Sequence, residues 1–355
     1  MKIRLKDIVK SRVVQNLWQS HLKIPVNTFF FLNLLYLTLN ATLKINIMRF
    51  VTLFFSFFLF NLSLPFAKAQ NLPKIELNDA WINEIKALAP AKKHFPSTKT
   101  HKVLVFSLFT GFDHWVIPHT EAMLKTITEK VGGFEMTYTR DVKYFDKNWL
   151  QQFDAIILNN NCSIGDKRNL FWDVFKNDPT LDTVQAMEKA AKFEKYLLQF
   201  VKRGGGIMSM HGAVTMQNKS NAFSDMLGGS FDYHPKQQRI DVKLVDPNHP
   251  LVQGFNGKGF SHIDEPYFFN NAYMSKNFRP LLYMESANIE GNKYPGGDEK
   301  RYIAWIKKYG KGNIFYSSPA HNAQSFSNPQ LLQFFLDGLQ FVVGDVKCDT
   351  SPMGN

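Results

Sequence analysis

The residues of this sequence best equipped for chemistry are histidines placed just after apolar runs. His211 stands in Met208-Ser209-Met210-His211-Gly212-Ala213. An apolar strand, a polar residue among small neighbours and then a helix is the layout of a nucleophile elbow. That position requires Ser, Cys or Asp as nucleophile, and His211 is none of these. Ser209, two residues earlier, falls on the same side of a strand by alternation. His321 lies in Ser317-Ser318-Pro319-Ala320-His321-Asn322, again past an apolar run. His114 and its neighbour Asp113 follow a third. Glu265 sits in His262-Ile263-Asp264-Glu265-Pro266, and His234 closes Gly228-Gly229-Ser230-Phe231-Asp232-Tyr233-His234.

Imidazoles and carboxylates gathered on one rim could move protons or ligate a divalent metal. No His-x-x-x-His or comparable local spacing singles out a metal. The cofactor is therefore left open, with a divalent metal as one option. A single loop histidine most often caps its own turn, but four of the ten at strand ends or in Gly-rich loops favour a shared site. His211, His321 and His114 are the candidate acid–base or ligand groups. Asp113 and Glu265 are the candidates to orient a histidine or accept a proton. Ser209, His234, Tyr233, Tyr267 and Asn322 are the candidates to bind substrate, because flat apolar faces stack on sugar rings and polar groups bind hydroxyls. Ordinary packing accounts for most other aromatic residues nearby. The Gly204–Gly206 triplet precedes a strand rather than opening a helix, so it is not a phosphate loop.

The elements that must position these groups alternate. Lys102–Phe109 is a short apolar, β-rich run, the mark of a buried strand. A helix over Ile117–Val131, a strand over Phe134–Thr139 and a strand over Phe153–Leu158 follow. A long helix, Leu181–Lys202, leads into a fourth strand, Ile207–Met210. Strands alternating with helices predict an α/β fold with a mostly parallel sheet covered on both faces. Such sheets bind ligands at the carboxyl ends of their strands, where these histidines fall. Residues 230–300 differ, with alternating segments such as Arg239–Val245 predicting half-exposed strands and long loops over the site. Tyr302–Tyr309 and Ile314–Ser317 around Gly310-Lys311-Gly312-Asn313 predict a hairpin. An amphipathic helix, Pro329–Val343, closes the body.

The chain has 355 residues and a formal net charge of +12, but the charge is uneven. Residues 1–69 hold nine Lys/Arg and one acid, so the remainder is nearly balanced and offers no electrostatic reason for a nucleic-acid partner. Residues 48–69 run from Arg49 through the apolar Phe50–Phe60 to Pro65 and Ala67-Lys68-Ala69. That is the order of a signal peptide cleaved after Ala69, and the run is shorter than the ~20 residues of a membrane span. It predicts a periplasmic or secreted protein that meets a membrane only during export. Residues 1–47, with a second apolar stretch at Phe29–Leu43, are odd in front of such a signal; translation from Met48 is the preferred explanation, and a real membrane-associated extension is the alternative. Residues 70–100 form a polar lead-in with a helical candidate at Asn78–Leu88, the domain spans 101–345, and 346–355 is a tail. The two cysteines, Cys162 and Cys348, exclude a disulfide scaffold or a Cys-rich metal site.

The segments Gly204–Ala213, Gly228–Pro235, His249–Val252, Asp264–Tyr267 and Pro319–Asn322, in that order, resemble the ThuA-like (trehalose-utilisation) family over roughly His101–Asp345. The resemblance implies a class I glutamine amidotransferase-like fold, a flavodoxin-like three-layer α/β sandwich, and a role in carbohydrate catabolism near enzymes handling 3-keto sugars. True amidotransferases place a Cys at the elbow, where this chain has His211. Without a thiolate, glutamine hydrolysis through a thioester has no nucleophile.

Two functions fit these residues. One is an exported enzyme acting on a sugar or keto-sugar derivative by His/carboxylate acid–base or metal-assisted chemistry. The other is a carbohydrate-binding or accessory protein using the same rim without turnover. In either, His211 and His321 are expected in one pocket with His114 on its edge. Burial and mutual charge are then expected to lower the pKa of His211 or His321.

Overall fold

A computed structural model describes residues 72–353. The leader and the apolar stretch before it lie outside the described residues. The strands in chain order are β1 (His101–Phe106), β2 (Phe134–Thr139), β3 (Ala155–Asn159), β4 (Gly206–Met210), β5 (Ser230–Tyr233), β6 (Gln238–Leu244), β7 (Phe260–Asp264), β8 (Phe268–Asn270), β9 (Arg279–Glu285), β10 (Lys300–Tyr309) and β11 (Gly312–Ser317). The helices are α1 (Asp79–Leu88), α2 (Ile117–Val131), α3 (Lys147–Leu150), α4 (Leu170–Phe175), α5 (Thr183–Lys202), α6 (Asn221–Leu227) and α7 (Pro329–Val342).

The main sheet runs in the order β2-β1-β3-β4-β11-β10-β9-β6-β7. The first five strands are parallel, and β10, β9, β6 and β7 extend the sheet by antiparallel pairing. β5 and β8 form a separate antiparallel pair. The parallel strands are apolar on both faces because both faces are covered. Along β1, Val103 and Val105 enter one core while Leu104 and Phe106 enter the other. β3 divides likewise, with Ile157 on the first side and Ile156 and Leu158 on the second. The first core is closed by α1, α2 and α7, the second by α3, α4, α5 and α6. This is the flavodoxin-like three-layer α/β sandwich that the resemblance implies.

Local signals set the element ends. Asp182 and Gln185 form a reciprocal capping box that starts α5 two residues inside the expected Leu181. Asn328 caps α7, whose first residue is Pro329. β1 stops at Phe106 rather than Phe109, since Thr110 and Gly111 turn to donate to the Cys162 carbonyl. The hairpin of β10 and β11 turns at Gly310, with φ of 61°. β6 alternates between buried and exposed residues as expected, and it joins the main sheet through β9. The lead-in is packed down: Trp81 and Ile85 are buried, and Lys130 of α2 donates to the Lys86 and Ala89 carbonyls.

Candidate functional site

Four chain exits meet at one end of the parallel strands. His114 follows β1, His211 follows β4, His321 follows β11, and Glu265 follows β7. β4 and β11 are neighbours with Met210 opposite Ser317, so His211 and His321 leave the sheet side by side. One donor atom from each of His114, His211, Glu265 and His321 lies within 4.8 Å of the others, and all four residues are buried.

The contacts are specific. His211 Nε2 is 3.3 Å from Glu265 Oε2. His321 Nδ1 is 3.2 Å from the same oxygen and 3.1 Å from His211 Nε2. The other nitrogen of His211, Nδ1, lies 2.7 Å from the Ser318 carbonyl. That carbonyl can only accept, so it assigns a proton to His211 Nδ1, and in the neutral ring Nε2 then keeps a lone pair. The His114 ring stands edge-on to both, with centroids 5.2 Å from His211 and 5.3 Å from His321.

Backbone strain accompanies the site. His211 has φ of 45° and Ala320 has φ of 101°, conformations that non-glycine residues rarely adopt. His211 thus has the sharp strand-to-turn geometry of a nucleophile elbow, but an imidazole occupies it. Asp264 organises the opposite loop. Its carboxylate accepts the backbone N–H of Ala320 at 2.9 Å and of His321 at 3.2 Å, and also that of Glu265 at 2.8 Å. Tyr316 donates its hydroxyl to the His211 carbonyl at 3.3 Å.

Burial and charge set the protonation pattern. Burial alone would raise the Glu265 pKa, but hydrogen bonds and charge from His211 and His321 outweigh it and hold the carboxyl well below its usual range. Burial, then the neighbouring His211 and His321, pushes His114 well below the ordinary imidazole value. Burial also pulls on His321, but the hydrogen bond and charge of Glu265 win and raise it. The expected lowering therefore falls on His114. For His321 the expectation is corrected, because a carboxylate and not only another imidazole faces it.

The remaining predicted residues divide. His234 stands at the edge, its Nε2 3.7 Å from Glu265 Oε2 and its ring stacked 5.5 Å from Tyr267. Tyr267 is buried with its ring 4.3 Å from His211. Asn322 ties the loop after β11 to Gln237 and the Ile263 carbonyl. Ser209 is buried within β4, its hydroxyl without a partner among the described residues. Tyr233 stacks on Phe268 and accepts the Lys293 N–H, so it secures a loop. Asp113 is exposed and forms no hydrogen bond or ion pair to a histidine among the described residues. Glu265, the other carboxylate expected beside the histidines, lies 3.3 Å from His211 and 3.2 Å from His321, and Asp264 holds the His321 backbone. Cys162 and Cys348 are free thiols.

Two contributors were not singled out from the sequence. Asp264 was legible only as the neighbour of Glu265. Phe112 is 53% exposed, yet its ring is 4.7 Å from His114 and 6.5 Å from His321. The described cavities of about 390, 400 and 550 Å³ lie on other faces. The crevice behind Glu265, lined by His262, Asp264 and Ser318, has no room for a water molecule. Phe112 and His234, both exposed, border the quartet.

The sequence profile of the ThuA family, described as trehalose utilisation, matches residues 102–342. Among solved structures, a ThuA-like protein from Bacteroides uniformis is similar with a TM-score of 0.51 and 16% identity, covering 70% of this chain and 94% of that one. A ThuA-like protein from Parabacteroides merdae gives a TM-score of 0.48 and 16% identity, covering 72% of this chain and 98% of that one. No curated protein matches. With the profile spanning most of the chain, and the five parallel strands and their histidine exits in place, the chain belongs to the ThuA family.

Proposed function

We propose that this protein acts on a sugar or oxidised sugar derivative, with its chemistry centred on His114, His211, Glu265 and His321. One observation carries the reading: these four groups converge where the parallel strands end, the place at which such sheets bind ligands. His211 and His321 are positioned to move protons beside Glu265, which orients both. Glutamine hydrolysis is disfavoured, because the elbow offers an imidazole and Cys162 sits buried after β3. The sugar assignment draws support from the family's link to trehalose utilisation and from the exposed Phe112 face beside the quartet. The leader at residues 48–69 supports action outside the cytoplasm.

The test is incubation of the purified protein with a panel of disaccharides and 3-keto-glycosides, with and without chelator. Turnover that disappears in His211→Ala is the expected result. Binding without turnover would replace the enzyme with a carbohydrate-binding module. Neither binding nor turnover across the panel would sink both readings.

A further inference from the structure

Three donor atoms of the quartet form a nearly equilateral triangle with sides of 3.1, 3.2 and 3.3 Å. Around a tetrahedral ion with bonds of about 2.0–2.1 Å, neighbouring donors lie about 3.3 Å apart by simple geometry. With both imidazoles neutral, the form in which they ligate a metal, hydrogen bonding explains the same triangle poorly. His211 Nε2 carries a lone pair, since its Nδ1 proton is committed to the Ser318 carbonyl. Glu265 Oε2 carries only lone pairs when ionised. A single N–H on His321 Nδ1 would have to serve both at once. His114 adds an independent observation: it is buried, and its Nδ1 has no hydrogen-bond partner among the described residues.

The surroundings are those of a prepared ligand set. Metal-binding histidines commonly donate their second nitrogen to a carbonyl or carboxylate, which fixes tautomer and ring direction. The Ser318 carbonyl does this for His211. Asp264 grips the backbone of Ala320 and His321, setting the direction of the third imidazole. Three nitrogens and one carboxylate oxygen suit a borderline cation rather than calcium or magnesium, which prefer all-oxygen shells.

We propose that His114, His211, Glu265 and His321 together bind one divalent first-row transition-metal ion, with zinc the best match to the spacing. The proposal concerns the same site as the sugar-directed reading but needs no substrate, so either can fail alone.

The metal content of the purified, tag-free protein is measured, and chelator-treated protein is titrated with Zn²⁺ and Co²⁺ by calorimetry. One ion per chain is expected, with the visible absorption of tetrahedral Co²⁺. Glu265→Gln, His321→Ala and His114→Ala are each expected to weaken binding by more than about 100-fold, since even outer partners of a ligand are worth 10–100-fold. Asp113→Asn, altering an exposed carboxylate one residue from His114, is expected to bind as the parent does. Only variants that circular dichroism shows to be folded are compared. If none folds, the parent titration decides. Folded parent protein that binds neither ion stoichiometrically overturns the proposal. So do folded ligand variants that bind as tightly as the parent, or an equal loss in Asp113→Asn.

Discussion

His321 Nδ1 lies 3.1 Å from His211 Nε2 although 110 residues separate them. The pairing arises from the sheet: β4 and β11 are adjacent and parallel, so the loops leaving them emerge together. The third member, Glu265, comes from β7 at the far edge of the antiparallel extension. The site therefore joins the parallel half of the fold to its added half, with Asp264 as the joint.

Replacing Asp264 tests that joint. In Asp264→Asn, one acceptor oxygen must do the work of two, and the new NH₂ faces backbone N–H groups of Ala320 and His321. A buried donor without an acceptor costs about 1–3 kcal/mol. The variant should fold, lose that much stability in urea unfolding, and shift the imidazole NMR signals of His321. Unchanged stability with unchanged signals would show that Asp264 does not hold the loop.

Much of this arrangement is legible in the sequence. α2 and β2 span the residues expected, with Pro118 in the first turn of the helix and Gly132-Gly133 just past its last. The histidine exits followed from apolar runs ending in polar residues. The antiparallel extension was less legible. β6 pairs with β7 and β9 across intervening loops, and short strands with non-local partners carry no local signal of their order. Asp113 adjoins His114 in sequence, yet it is exposed. Adjacency along the chain cannot tell which carboxylate a loop buries, and Asp264 and Glu265 reach the site from a distant strand.

Gly212 limits the space beside His114. A Cβ built there would lie 2.6 Å from the His114 Cε1. Gly212→Ala should therefore fold while pushing the His114 ring aside. The expected result is an activity loss of about tenfold or more, since misplacement of a site group by about 1 Å can cost 10²-fold. Full activity, with a crystal structure showing His114 unmoved, would contradict this packing argument.

Phe112 separates stability from substrate handling. Its ring is 53% exposed and covers little core, so Phe112→Ser should change stability by no more than about 0.5 kcal/mol. If the ring forms the platform for a sugar face beside His114, KM should rise severalfold with kcat little changed, because the loss is one of uniform binding. A fall in kcat at constant KM would place Phe112 in the chemical step instead.

The last prediction lies away from the site, where α7 buries Asp337. Its carboxylate is fully buried, 3.0 Å from His94 Nδ1 and 2.7 Å from Gln333 Nε2. Burial pushes its pKa up to about 6, with His94 and Gln333 pulling it back. The folded value exceeds that of the unfolded chain, about 3.9, so the folded state binds the proton more tightly. This contribution favours folding fully below about pH 4 and is lost as pH rises through about 6. A difference near two pKa units corresponds to on the order of 2–3 kcal/mol. Asp337→Asn keeps the volume and an acceptor for Gln333 but cannot ionise. His94 is partly exposed, so the lost ion pair offsets little. Urea unfolding at pH 4 to 7 should show the two proteins similar at pH 4 and the variant increasingly more stable up to about pH 6. A stability difference that does not vary with pH would mean that Asp337 titrates as it does in the unfolded chain.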